Sequence, residues 1–394
     1  MIAPGSLLGL LGGGQLGRMF TMAAQSMGYR VMVLDPGGQS PAGSVADEFL
    51  RADYLNLEAL RTMASRCAAA TTEFENVPAE SLDFLARHTV VSPSAQAVAI
   101  AQDRIREKTF LADNGLDVAP FAVIAGDADL DSARLAPLLP GILKIARLGY
   151  DGKGQVRVTT PDEVRTAFAS LGGKPCVLEK FLALEREVSV VVARAFDDNV
   201  VTFPVAENQH AHGILDVSIV PARIAPALAE DARRAAIRVA ERLDYRGVLC
   251  VEFFVVNGGR LVVNEIAPRP HNSGHYTIDA CVTSQFEQQA RVLCRLPLGD
   301  TSAHCPAVMV NLLGDLWAAG EPRWEHVLRH ARAKLHLYGK SEARLGRKMG
   351  HFTVLAEDVG QALATATKIK SMLLADAQAQ GVVDTKPHRA AGAA

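Results

Sequence analysis

The sequence predicts an α/β protein of several domains, with a parallel sheet at the front of the chain and antiparallel strands behind it. Three observations predict this. The chain opens as strand, Gly-rich turn, helix and strand; alternating elements continue to about residue 100; and the later chain is strand-rich, with a hairpin at 248–266. A length of 394 residues suits two or three domains with sizeable cores.

Residues 7–11 read as the first strand. Leu16, Met19, Phe20, Ala23, Ala24 and Met27 then recur at helical spacing until Gly28 supplies a stop. The next strand, 29–34, ends at Asp35 and completes a strand-helix-strand unit, whose strands run parallel. Thr71-Thr72-Glu73-Phe74-Glu75 falls at the C-terminal end of a strand, where such sheets usually carry ligand-binding residues. A helix from about 102 to 114 leads into strands 141–146 and 155–159 around a glycine-rich loop, followed by a helix at 161–171. Strands 176–181 and 187–193, a long helix at 228–243 and the hairpin come next. Strands at 334–338 and 351–355 close the pattern, and the small polar tail after 380 is expected to be mobile.

Composition narrows the function classes. Hydrophobic residues at 49% and charged residues at 21% fit a soluble globular protein. A net charge of -2 gives no general attraction to nucleic acid or anionic membrane, so any phosphate recognition has to be local. No apolar run spans a bilayer, and the first residues lack the basic start of a signal peptide. The six cysteines are scattered without a Cys-x-x-Cys pair, which suits reduced core thiols in the cytoplasm.

The hairpin carries the sharpest chemical signal. If Gly258-Gly259 forms a two-residue loop, Glu252 lies opposite Glu265, and facing like charges cost up to ~1 kcal/mol unless neutralised. Mg2+ held by both carboxylates and by substrate phosphates would neutralise them, as would plain exposure to water. A loop at Asn257-Gly258 would instead set Glu265 opposite Cys250. Behind the hairpin, Pro268 and Pro270 stiffen the backbone around Arg269, whose planar guanidinium suits an oxyanion or phosphate. His271 with His275, and His210 with His212, lack a third ligand at helpful spacing for zinc.

Two glycine-rich segments stand apart. Gly12-x-Gly14-x-x-Gly17 with Asp35 has the form of a dinucleotide fingerprint, but it equally suits another ligand's phosphate near Gln15 and Arg18, or the mere start of a helix. Gly149-Tyr150-Asp151-Gly152-Lys153-Gly154-Gln155 lies between two strands and lacks a following Ser or Thr, so it is no Walker A loop. It suits a lid over phosphates, with Lys144 on the strand before it. The segment Glu179-Lys180-Phe181-Leu182 offers backbone groups beside a carboxylate, and Glu187 offers an acceptor for ribose hydroxyls. Lys340, Arg347 and Lys348 form a late basic cluster.

In this order the glycine-rich lid, the Glu-Lys-Phe-Leu segment and the paired acids ending in Asn264-Glu265 resemble the ATP-grasp ligases. More narrowly, Gly12-Gly13-Gly14-Gln15-Leu16-Gly17-Arg18-Met19, the 149–155 loop, the 267–275 segment and Arg347-Lys348-Met349-Gly350-His351 resemble the 5-(carboxyamino)imidazole ribonucleotide synthetases. The resemblance spans about residues 5–360. It implies a Rossmann-like domain at 1–100, an ATP-grasp lid at 101–182 and core at 183–300, a β-rich domain at 301–380, and a tail at 381–394.

It also implies an activity: ATP converts bicarbonate to carboxyphosphate, which carboxylates 5-aminoimidazole ribonucleotide, with Mg2+ as cofactor and a homodimer as the assembly. By position, Arg104, Lys144 and the lid (Gly149, Tyr150, Asp151, Gly152, Lys153, Gly154 and Gln155) would hold the ATP phosphates. Glu179, Lys180, Phe181 and Leu182 would hold adenine, Glu187 the ribose, and His210 would lie on the nucleotide side. Glu252 and Glu265 would bind Mg2+, assisted by Asn264. Arg269, His271, Asn272, Tyr150 and Lys153 would surround the reacting groups. Gln15, Leu16, Glu73, Asp151, Lys340 and Arg347 would hold the ribonucleotide. Ala146 and Leu148 depart from the family's lid pattern. A formate-activating ligase acting on glycinamide ribonucleotide, a nicotinamide oxidoreductase and a nucleotide-binding regulator are the competing readings.

Overall fold

The structure is a computed structural model that describes residues 1–147, 154–256 and 258–379. Its first sheet is parallel and contains β1 (Leu7–Leu11), β2 (Arg30–Leu34), β3 (Glu48–Leu50), β4 (Ala69–Thr72) and β5 (Val90–Val91), in the order β3-β2-β1-β4-β5. Every residue of β1 is buried, as a central parallel strand covered on both faces requires. The helix Gln15–Ser26 ends where the sequence places its stop. Gly28 adopts φ +85°, its N–H reaches the Gln25 carbonyl at 2.9 Å, and the Tyr29 N–H reaches Ala24 at 3.1 Å, a Schellman closure.

The second sheet is antiparallel: β6 (Phe121–Ile124), β7 (Gly141–Ile145), β8 (Gln155–Val158) and β9 (Cys176–Lys180), in the order β6-β9-β7-β8. The expected lid joins β7 to β8, and Gly149, Tyr150, Asp151, Gly152 and Lys153 lie outside the described residues, as do Leu148 and the tail. The helix expected over about 102–114 is present as Arg104–Asp113, and a separate short helix, Ala95–Ala101, precedes it. Asp103 divides them, because its side chain accepts from the Ile105 and Arg106 N–H groups and so caps the second.

The third sheet contains β10 (Leu184–Arg194), β11 (Val200–Thr202), β12 (Ala206–Ala211), β13 (Ile214–Val220), β14 (Gly247–Val256), β15 (Arg260–Ala267), β16 (Ala307–Leu313), β17 (Ala333–Leu337) and β18 (Lys348–Leu355). Its path is β15-β14-β10-β12-β13-β16-β18-β17, with β11 beside β10. The β13–β16 pairing carries this sheet across residue 300, so the late strands extend it. Helix Pro226–Arg242 seals one face through Ala232, Ala236, Val239 and Ala240 against Val188, Val190 and Val192. Helix Val359–Ala379, which the sequence reading passed over, packs Ala362, Ala366, Ile369 and Leu373 against the β16 and β18 side. All six cysteines are unpaired and five are buried.

Candidate active site

The hairpin reaches the expected pairing by an unexpected route. Val256 pairs with Arg260, so three residues, not two, separate the strands, and that register alone would set Glu252 opposite Asn264. A β-bulge then adds one residue to β15 and brings Glu252 opposite Glu265, while Cys250 faces Ala267.

Each acid already has a cation. His271 Nε2 lies 3.0 Å from Glu252 Oε1, and Arg104 Nη1 lies 3.1 Å from Glu265 Oε2. Burial works against the Glu252 charge, yet His271 prevails and holds its carboxyl below the usual range. Burial likewise opposes a charged His271, but the Cys250 sulfur and the Glu252 carboxylate beside it raise its pKa. In the bulge itself, Asn264 Oδ1 is buried without a hydrogen-bond partner among the described residues. The two carboxylates and the orphaned amide oxygen are hard-oxygen donors of the kind that would suit Mg2+ completed by phosphates and water.

The turn after β15 hangs from neighbouring elements. Arg269 donates through Nε to Glu75, whose carboxyl drops below its ordinary range despite burial, and through Nη1 to the Pro270 carbonyl at 3.2 Å. His271 takes its backbone position from Gln285, which accepts its N–H at 2.8 Å. Its Nδ1 sits 2.8 Å from Ser273 Oγ, which in turn accepts from Ser189 at 2.7 Å. Asn272, expected among the reacting groups, joins its amide to that of Asn311 in a reciprocal pair at 3.0 and 2.8 Å, which ties the turn to β16.

On the nucleotide side, buried Glu179 is gripped by Lys108 at 3.1 Å and Lys144 at 3.2 Å. These lysines hold it at about 2 against burial, which would raise it. Both lysines lie within ion-pair distance of the carboxylate, while its Oε1 has no hydrogen-bond partner among the described residues. The Lys180 and Phe181 N–H groups go to the Pro120 and Pro140 carbonyls at 2.8 and 2.9 Å. The Leu182 N–H has no acceptor among the described residues. The Arg104 N–H reaches the Ala146 carbonyl at 2.9 Å, Gly154 closes the other side of the lid by accepting from Ile145 at 2.9 Å, and Gln155 pairs with Lys144. His210 Nδ1 lies 3.1 Å from Glu187 Oε2; burial would lower its pKa, but that contact raises it.

The Gly-rich turn is filled by its own chain. Glu73 accepts the Gly14 and Gly17 N–H groups at 2.7 and 3.0 Å, and Asp35 accepts that of Gly13 at 2.8 Å. A Cβ on Gly12 or Gly14 would meet Glu73 at 2.7 Å, which is why glycine stands there. The donors that a dinucleotide pyrophosphate would need are thus spent. Leu16 is buried in the core, so only its backbone could face a ligand, whereas Gln15 starts the helix half-buried. Across from this region, Ser341 donates to Gln39, Lys340 Nζ reaches the Lys348 carbonyl at 2.6 Å, and Arg347 Nη1 reaches that of Glu342 at 2.8 Å. Glu107, Lys108 and Asn311 went unnoticed in the sequence, and Glu75 was noted only as part of the segment 71–75. Arg104, Glu107, Lys108 and Leu111 do share one helical stripe, and charges in that inward stripe were the available signal.

The chain matches three family models: the ribonucleotide synthetase preATP-grasp domain at residues 6–102, the ATP-grasp domain at 109–286, and the phosphoribosylaminoimidazole carboxylase C-terminal domain at 307–365. It is 48% identical over 354 residues to the N5-carboxyaminoimidazole ribonucleotide synthase of Brucella melitensis, covering 89% of this chain and 97% of that one. Identity to the Bacillus subtilis protein of that name is 43%, over 91% of this chain and 93% of the other. Among solved structures, the ADP complex of an N5-carboxyaminoimidazole ribonucleotide synthetase superposes with a TM-score of 0.89 at 41% identity, covering 95% and 98% of the two chains. The Aspergillus clavatus synthase with ADP and 5-aminoimidazole ribonucleotide superposes with a TM-score of 0.84 at 31% identity, covering 94% and 99%. The chain belongs to the N5-carboxyaminoimidazole ribonucleotide synthase family of ATP-grasp ligases.

Proposed function

We propose that this chain carboxylates 5-aminoimidazole ribonucleotide with bicarbonate at the expense of ATP, giving 5-(carboxyamino)imidazole ribonucleotide, ADP and phosphate in purine biosynthesis. The observation that carries this reading is the pair Glu252 and Glu265, opposed across a bulge at the foot of the turn that holds Arg269 and His271. A bicarbonate oxygen attacks the γ-phosphorus and the bond to ADP breaks, leaving carboxyphosphate. The exocyclic amine of the ribonucleotide then attacks the carboxyl carbon; phosphate leaves and the nitrogen loses a proton.

Residue roles follow from chemistry. Arg104, Lys144 and the lid residues Gly149 to Gln155 hold phosphates. The Leu182 N–H, left without an internal acceptor, suits a purine nitrogen, and Glu187 with His210 suits the ribose. Glu252, Glu265 and Asn264 hold Mg2+, which when bound offsets charge on the transferring phosphoryl group. Arg269, and His271 kept protonated by Glu252, suit the developing oxyanion, with Tyr150 and Lys153 closing over it. Gln15, Glu73, Asp151, Lys340 and Arg347 hold the ribonucleotide; Glu73 keeps acceptor capacity beyond its two amide bonds. The enzyme works as a cytoplasmic homodimer in this reading, for which the six unpaired thiols suit a reducing compartment. Among the described residues no helix is long and apolar enough to cross a membrane.

Phosphate release from ATP and bicarbonate, with and without 5-aminoimidazole ribonucleotide, tests the proposal. Strong stimulation by that nucleotide is expected. Stimulation by glycinamide ribonucleotide with formate instead would overturn it.

A further inference from the structure

The bulge that makes Glu265 face Glu252 is itself gripped from outside by one helix. Arg104, Glu107 and Lys108 occupy one face of the helix Arg104–Asp113 and hold three consecutive residues of β15. Lys108 Nζ donates to the Asn264 carbonyl at 2.7 Å, Arg104 reaches the Glu265 carboxylate at 3.1 Å, and Glu107 accepts the Ile266 N–H at 2.5 Å. Glu107 and Lys108 are almost wholly buried, at 2% and 0% exposure. Burying an ammonium and a carboxylate is costly unless each is paired, so their presence in the core calls for a specific task. Lys108 also reaches Glu179 on β9 at 3.1 Å, which links the metal-side strand to the nucleotide-side strand through one ammonium.

We infer that Glu107 and Lys108 are positioning residues that lock the Asn264 bulge and thereby aim Glu265 at the metal. β15 is an edge strand; its outer side is pinned at Val263, whose N–H reaches the Asp117 carbonyl at 2.7 Å, and the next three residues are held there by this helix. Without the bulge the register set at Val256–Arg260 returns Asn264 to the place opposite Glu252, and the second carboxylate turns to the other face of the sheet. The clamp touches neither ATP nor metal in this account. It acts through Glu265.

The inference rests on Glu252 and Glu265 being the metal pair, so the experiment includes Glu265→Gln. Mn2+ affinity in the presence of ADP is read from the free-ion EPR signal, and ADP affinity is measured separately in EDTA. Lys108→Met and Glu107→Ala should each weaken Mn2+ by about 10–100-fold, the usual range for residues that orient metal ligands, with ADP affinity in EDTA changed less than about threefold. Glu107→Gln, which keeps the acceptor oxygen, should recover most of the loss. Arg260→Ala, at an exposed pair with Asp117 on the same strand, is the control for general damage to β15. Unchanged Mn2+ binding in both clamp variants overturns the inference, as does an equal loss of metal-free ADP binding. If Glu265→Gln also binds Mn2+ normally, the metal-pair reading fails; if it loses Mn2+ while the clamp variants do not, only the clamp fails.

Discussion

The Gly-rich turn near residue 14 and the acid hairpin of β14 and β15 both gather polar groups at the end of a strand, and they dispose of them in opposite ways. In the turn, the helix N-terminus offers backbone donors, and Glu73 and Asp35 consume them. In the hairpin, two carboxylates face each other with cations from elsewhere, His271 and Arg104, and a buried amide oxygen beside them stays unpartnered among the described residues. The turn is a closed circuit for its backbone donors, with only acceptor capacity on Glu73 left over. The hairpin is a charge arrangement whose counter-ions, in the proposed function, would be exchanged for a ligand's. A motif therefore predicts a site only when the rest of the fold leaves its donors or acceptors unspent.

The largest expected effect lies on the hairpin side. Arg269 is fixed by flanking prolines and by Glu75, so in the proposed role its guanidinium would meet the reacting groups with little reorganisation. Arg269→Ala should lower product formation by about 10²–10³-fold, the usual cost of removing one preorganised charge donor, while ATP affinity stays nearly constant. Single-turnover product formation and equilibrium ATP binding measure the two quantities. Near-normal turnover would remove Arg269 from the chemistry.

The turn should respond in stability. Glu73→Ala leaves the Gly14 and Gly17 N–H groups without their acceptor, which costs about 1–3 kcal/mol for each group left buried and unsatisfied. Urea unfolding should show that loss, and Glu73→Gln, which retains one carbonyl acceptor, should lose less. If Glu73→Ala unfolds at the wild-type midpoint, the closed circuit does not hold the turn, and the contrast with the hairpin collapses.

Legibility in the sequence followed the same divide. The first parallel unit was plain, because an all-apolar strand, a helical apolar stripe and a C-terminal glycine agree on one structure. The pairing of Glu252 with Glu265 was foreseen, but its cause was not: loop length and bulge each shift the register by one residue, and their sum looks like a simple two-residue turn. Helix Val359–Ala379 escaped because small residues such as Ala362 and Ala366 mark its buried face weakly. Glu107 and Lys108 escaped because a charge in a sequence reads as a solvated surface, and only the strand pressed against that helix gives them partners. The local pattern, charges sharing a helical stripe with Leu111, shows that face but not the strand that pairs with it. Asn272 was legible as part of its motif, but its tie to Asn311 on a distant strand was not.

The smallest effect is the pH response of the Glu252–His271 pair, and its sign is fixed by the two shifts. Glu252 has its folded pKa depressed, so its contribution is present above the ordinary glutamate value of about 4.3 and fades as pH falls through the lower folded value. His271 has its folded pKa raised, so its contribution is complete below the ordinary histidine value of about 6.5 and is lost as pH rises through the raised one. Both contributions coexist between those two ordinary values. The stability gap between the wild type and His271→Gln should therefore be widest near pH 6 and should narrow steadily toward pH 9 and above. Urea midpoints across that range measure it. A gap that stays constant or widens with pH would mean that His271 is held as a neutral ring, and the hairpin would then resemble the turn: a set of hydrogen bonds already satisfied, with no charge held ready for a ligand.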